Sequence, residues 1–225
     1  LDSITTWWSQ LDLARSVQQV VLRNDQHKIQ SAAAFQATLA SGLPSSHADL
    51  FHLVLDEIDD LCVEIENGPN DGRLQFWNVD PYGRAIKPRA EPICRNYFAE
   101  RMRDRLNVYS VDCVRERSHA GTNASDIWCS WQQKGIPIEA KSCTSRELWT
   151  AIGDQLLPKY TTDPSADGYG IYLVFWFGVD SCKARNRSKP LSSGELADWL
   201  VELIPANRRG QVRIRVLDVS SPSRA

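Results

Sequence analysis

Leu50, Val54, Ile58, Leu61 and Ile65 recur at spacings of four and three, which predicts a helix with one apolar face. Ser46 is positioned as its N-cap, and Asn67-Gly68 is expected to end it through a left-handed cap. Two earlier segments, Ile4 to Leu22 and Asp25 to Ala40, also read as helices, with Ser41-Gly42-Leu43-Pro44 as the break before the third. The pattern then changes. Gly68-Pro69-Asn70-Asp71-Gly72, Pro81-Tyr82-Gly83 and Pro88 punctuate a linker with one short strand at Leu74 to Trp77. The expected organisation is a helical segment over 1–67, a linker over 68–90 and a domain over 91–225.

Beyond the linker the period shortens to two. Ile136, Ile138 and Ala140 alternate with polar positions and predict a strand. Ile127-Trp128-Cys129 predicts a strand before it, with Gln132-Gln133-Lys134-Gly135 as the hairpin turn between them. Tyr169 to Phe177 is apolar throughout and reads as a buried central strand. Leu196, Leu200 and Leu203 mark a helix over Glu195 to Leu203, and Val212 to Val219 alternates as a last strand. The tail, Ser220 to Ala225, is expected to fray.

Composition changes this picture little. The chain has 225 residues, 42% hydrophobic and 24% charged, enough for one large domain or a domain with an appendage. The absence of a long apolar run speaks against a membrane span, and the lack of a secretory signal makes the cytoplasm the expected location. The chain begins at Leu1, so the expectation is one segment of a longer protein. Six cysteines show no CxxC pair and the histidines no ligand spacing, which argues against zinc. Cys113 and Cys129 read as small core residues, not disulfide partners.

The chemistry concentrates in Ile138-Glu139-Ala140-Lys141. On a strand, Glu139 and Lys141 point to the same face. A carboxylate there can hold a hard cation, and the ammonium beside it can position a water. The hairpin folds Asp126 back beside Glu139, so that two carboxylates can converge on one ion.

The order Glu91, Asp126, Glu139-x-Lys141, then Gln155 and Tyr160, resembles the PD-(D/E)xK nuclease superfamily over about residues 91–178. Ser125-Asp126 stands where the superfamily's proline and aspartate stand. The resemblance implies an α+β, restriction-endonuclease-like core of helix, three-stranded meander, helix and strand, preceded here by the helical segment. The helices would be Pro92 to Leu106 and Arg146 to Leu157, and the first strand Tyr109 to Glu116. It also implies a site: Asp126, Glu139, the carbonyl of Ala140 and Glu91 as ligands of Mg²⁺, with Mn²⁺ as a substitute. Lys141 would be the catalytic lysine. Gln155 would act on the bound water or the DNA backbone, and Tyr160, Arg146 and Lys159 would contact nucleic acid. Glu100 is the rival of Glu91 on the same helix.

The implied function is a Mg²⁺-dependent DNA endonuclease domain, the effector part of a larger bacterial defence or restriction protein. Its partners would be DNA and further domains or a partner protein, with self-association open. The alternative is a catalytically inactive nuclease fold used for nucleic-acid binding or scaffolding. The net charge of −2 does not favour DNA, but its distribution does. Arg95, Arg101, Arg103, Arg105, Arg115 and Arg117 form a basic segment bordering the expected site, and Lys183, Arg185, Arg187 and Lys189 form a second. Asp56, Glu57, Asp59, Asp60, Glu64 and Glu66 form an acidic one. His119, in the loop before Asp126, could approach substrate.

Overall fold

The structure is a computed structural model that describes residues 43–68, 72–118 and 124–220, together with Ala14, Val17 and Gln18, which are helical. The helices expected at 4–22 and 25–40 otherwise lie outside the described residues, as do His119 and the tail 221–225. The chain divides into two compact units, 1–42 and 43–225, and the second holds the sheet and all the elements described below. The division falls ahead of the third predicted helix, which lies in the same unit as the sheet, and not within 68–90.

Helix α1 spans His47–Asn67. Ser46 Oγ accepts from Asp49 N–H at 3.1 Å and the Asp49 carboxylate accepts from Ser46 N–H at 2.9 Å, a reciprocal cap. The periodic residues Leu50, Val54, Ile58, Leu61 and Ile65 are buried, joined by Phe51 and Leu55. The helix does not end through a left-handed residue. Gly68 is extended, with φ −69° and ψ 157°, and gives its N–H to Glu64 O at 2.8 Å. A Cβ there would lie 2.3 Å from that oxygen, so close approach explains the glycine, not its sign of φ.

The described part of the expected linker is folded. A 3₁₀ turn, Gly72–Phe76, leads into a hairpin of β1 (Trp77–Val79) and β2 (Ala85–Pro88). The strand placed at Leu74 to Trp77 therefore starts only at its last residue. Phe76 and Trp77 are buried, and Trp77 Nε1–H donates to Val219 O at 2.7 Å, which ties the hairpin to the far end of the chain. Pro81 and Gly83 lie in the hairpin turn, and Phe76 and Trp77 anchor the described stretch to the core.

Helix α2 (Glu91–Leu106) carries Pro92 in its first turn and buries Cys94, Phe98, Ala99, Met102 and Leu106. Strands β3 (Asp112–Ser118), β4 (Ala124–Trp131), β5 (Lys134–Ser142), β6 (Gly170–Trp176) and β7 (Val212–Asp218) form one sheet in that order. The first three run antiparallel, whereas β5–β6 and β6–β7 are parallel. The two-residue turn Gln132-Gln133 forces the antiparallel step from β4 to β5. The parallel step from β5 to β6 needs a crossover, which residues 143–169 supply.

That crossover differs from the expected helix at 146–157. Residues 146–150 are successive turns, and the helix α3 is Ile152–Tyr160, widened to a π-helical winding with Thr161 N–H bonded to Leu156 O at 3.0 Å. Pro158 lies inside it and has no N–H to give, so the ordinary ladder cannot run through that turn. Helix α4 (Ser193–Val201), N-capped by Ser192, precedes β7.

Alternation along β5 and β6 sorts the two faces. Ala140 and Ser142 stand beside Leu173 and Phe175, and Phe175 meets Phe98 of α2 with ring centroids 6.1 Å apart. Glu139 and Lys141 stand beside Tyr172 and Val174 on the opposite face, where the Tyr172 hydroxyl donates to Leu148 O at 2.8 Å. The unit is thus a mixed α+β domain with a five-stranded mixed sheet. Among the described residues, no helix is long and apolar enough to cross a membrane.

Candidate active site

The site forms where the β4–β5 ladder stops. Regular pairing ends at Ile127 opposite Ile138. One residue further along, Asp126 Oδ2 accepts from Ala140 N–H at 2.9 Å, so a side chain takes over the ladder bond. Two residues on, Ser142 N–H donates to Glu91 Oε2 at 2.7 Å. Carboxylates from β4 and from the first turn of α2 are therefore fastened to alternate amides of β5, on either side of Lys141. Lys141 Nζ lies 2.6 Å from Glu139 Oε1, 3.8 Å from Glu91 Oε1 and 3.7 Å from Glu147 Oε2.

The pair Glu139–Lys141 shares one face of β5, as the period of two requires. It is more deeply enclosed than a hydrated cleft would leave it, with Glu139 1% and Lys141 6% exposed. Burial, then the neighbouring Asp126, pushes the Glu139 carboxyl up to about 7, despite the opposing pull of Lys141. Burial likewise raises Glu91. Burial alone would lower Lys141, but Glu139, Asp126 and Glu91 outweigh it and hold the ammonium above its usual range.

Three residues that the motif did not single out complete the cluster. Arg95, one helical turn after Glu91, places Nη1 2.5 Å from Asp126 Oδ1 and Nη2 2.5 Å from Glu116 Oε1. Its Nε is buried without a hydrogen-bond partner. Glu116 sits at φ 51°, a left-handed position in a strand, and the β3–β4 pairing passes from Arg115–Ile127 to Arg117–Ser125 around it. Glu147 bonds Gln155 Nε2 at 2.9 Å and brings that residue to the rim near Lys141. The i, i+4 spacing of Glu91 and Arg95 was the available signal for Arg95. Glu147 gave none, because it lies in a turn with no period.

The other expected residues divide. Glu91 reaches the site, whereas Glu100 pairs with Arg115 at 3.7 Å and is not part of it. Tyr160 is buried, and burial followed by Glu139 and Asp126 pushes its hydroxyl up to about 12. Arg146 and Lys159 are exposed. Trp149 is half-buried, packs on Trp199 and donates to Lys183 O at 3.2 Å, an anchor as expected.

Several residues of the basic segments are engaged in ion pairs. Arg101 pairs with Glu64, and Arg105 with Glu57, Asp60 and Glu64, all on the acidic face of α1. Arg95 and Arg115 are likewise paired. In the second run, Arg185 and Lys189 turn onto Glu202 and the carbonyls of Val179 and Asp180. Arg101 and Arg105 of the first basic run are thus partners of the acidic run in space. The cysteines are all thiols, and Cys113 and Cys129 lie buried in the core with sulfurs 3.5 Å apart.

The cluster suits a hard divalent cation in donor type and charge. Five carboxylates, Glu91, Glu116, Asp126, Glu139 and Glu147, meet two cationic side chains, and oxygen donors dominate. Among the described residues, however, no three acidic, His or Cys side chains gather as a cage. In the same cluster Arg95 is paired with Asp126, and Lys141 with Glu139.

A mixed α+β domain with a buried carboxylate–lysine centre at a strand end is the class that fold and site define. Residues 50–179 match the family model described as Domain of unknown function (DUF8371). That is more than half of the chain, which belongs to this family. The match runs from α1 to just past β6 and takes in every residue of the site. No curated protein and no solved structure matches the chain.

Proposed function

We propose that this protein is a Mg²⁺-dependent endonuclease domain that hydrolyses phosphodiester bonds in DNA, acting as the effector part of a larger bacterial defence or restriction protein. The observation that carries the reading is the fastening of Asp126 and Glu91 to the amides of Ala140 and Ser142, with the buried Glu139–Lys141 pair between them. The element order α2, β3–β4–β5, α3, β6 supports a restriction-endonuclease-like core, and that finer fold is part of the proposal.

Asp126, Glu139, Glu91 and the Ala140 carbonyl would hold the cation, which supplies an acidified water and offsets charge on the phosphate oxygens. Hydrolysis joins the water oxygen to phosphorus and expels the leaving oxygen with its bonding electrons. Lys141 faces the charge that builds on the phosphoryl oxygens, where a compact ammonium is most effective. Glu139 and Glu91 keep that ammonium in place and protonated. Gln155 and Glu147 orient it from the rim, while Tyr160 closes the buried side. Arg146 and Lys159 are exposed for contact with the DNA backbone.

The test is nicking of supercoiled plasmid with Mg²⁺, Mn²⁺ or EDTA. Cleavage with either metal, absent in EDTA and in Asp126→Ala and Glu139→Ala, supports the reading. No cleavage in any metal overturns it. The second reading, an inactive nuclease fold that binds nucleic acid or serves as a scaffold, draws on one observation: Arg95 sits on the carboxylate a metal would need. Gel-shift without cleavage would favour it.

A further inference from the structure

Asp126 has two carboxylate oxygens, and each has a partner. Oδ2 takes the Ala140 amide, a bond that belongs to the sheet. Oδ1 takes Arg95 Nη1 at 2.5 Å. A cation that approaches Asp126 from the Oδ1 side meets the guanidinium that already sits there, while Oδ2 is engaged by the sheet. We propose that Arg95 is a resident counter-cation that holds the divalent position at Asp126 and must release that carboxylate when metal binds, a regulation that rests on the function proposed above.

Three features suit Arg95 to this exchange. Its other arm is anchored on Glu116 at 2.5 Å, so release from Asp126 does not leave the guanidinium unpaired. Glu116 is exposed and held at φ 51°, a backbone conformation that L residues rarely adopt, and this turns its carboxylate toward Arg95. Arg95 Nε is buried with no acceptor, so the docked state leaves one donor unsatisfied and is the easier to leave. Lys141 cannot take this role, because it is held among Glu139, Glu91 and Glu147. Before metal arrives, Arg95 prevents Asp126 and Glu139 from facing one another as bare carboxylates.

The exchange has a sign that a structural arginine would not give. A residue that merely supports the site weakens metal binding when removed. A residue that competes with the metal strengthens it. Calorimetric titration with Mn²⁺ should therefore show Arg95→Gln binding about tenfold tighter than the wild type, the scale of one charged hydrogen bond relieved. Arg95→Lys keeps the charge and should fall between the two. Unchanged or weaker binding in Arg95→Gln overturns the proposal while leaving the endonuclease reading intact. A wild type that binds no Mn²⁺ overturns both. Should the variants fail to fold, the wild type itself reports: the Arg95 Hε–Nε resonance should move in step with Mg²⁺ occupancy. Saturation of the site with that resonance unmoved overturns the proposal.

Discussion

At the scale of single residues, the buried Glu139–Lys141 pair sets the terms. The Glu139 carboxyl is raised to about 7 from an unfolded value near 4.5, chiefly by burial. The folded chain therefore binds more protons there than the unfolded chain across that window. The stability this gives is fully present below pH 4.5 and lost as pH rises through 7. Glu139→Gln removes the titration, so its stability relative to the wild type should climb between pH 5 and 8. Urea midpoints at the two ends of that range check it; a constant difference would contradict the assignment.

Lys141→Ala carries two expectations. It should leave a buried carboxylate without its counter-ion, a loss on the order of 3–5 kcal/mol when Glu139 is charged and much less when it is protonated. The destabilisation should thus be larger at pH 8 than at pH 5. Under the proposed function, it should also cut cleavage by roughly 10²–10³ while sparing DNA binding. Single-turnover cleavage beside a gel-shift in Ca²⁺ separates the two.

At the scale of elements, local chemistry and packing each fix particular boundaries. The Ser46–Asp49 cap starts α1, and Ser46→Ala should lower stability by about 1 kcal/mol in urea unfolding. Gly135 is held by packing instead. A Cβ there would lie 2.0 Å from the Trp128 ring, so Gly135→Ala must displace either a strand or a buried indole. It should cost at least about 1–3 kcal/mol, and near-ultraviolet dichroism would register the shifted tryptophan.

The whole molecule joins segments that look separate in sequence. α1 pairs with α2 through Glu57 and Arg105, and with β7 through Asp59 and Arg215. Trp77 is bonded to Val219 O from across the chain. A chain of residues 43–225 should therefore unfold in one cooperative urea transition. A chain starting at 91 should not fold, because it lacks Leu50, Val54, Ile58 and Leu61 of α1 and the aromatic pair Phe76–Trp77. Tryptophan fluorescence and far-ultraviolet dichroism distinguish the cases. If 91–225 folds cooperatively, α1 is an appendage after all.

The sequence by itself determined what rests on short-range repetition. A period of three to four over Leu50 to Ile65 made α1, a period of two put Glu139 and Lys141 on one face, and an unbroken apolar run made β6 a central strand. Helix ends and turns written in single residues, such as Ser46 and Gln132-Gln133, were legible for the same reason. Tertiary structure decided whatever depends on a partner distant in the chain. The described part of the glycine- and proline-rich stretch before α2 was tied to the core because two aromatic side chains in it, Phe76 and Trp77, are buried there. Arg101 and Arg105 of α2 became ion-pair partners because α1 lay beside them, and Arg95 entered the site because Asp126 and Glu116 came within its reach. Periodicity records which way a side chain faces; only the assembled sheet and helices determine what it meets there.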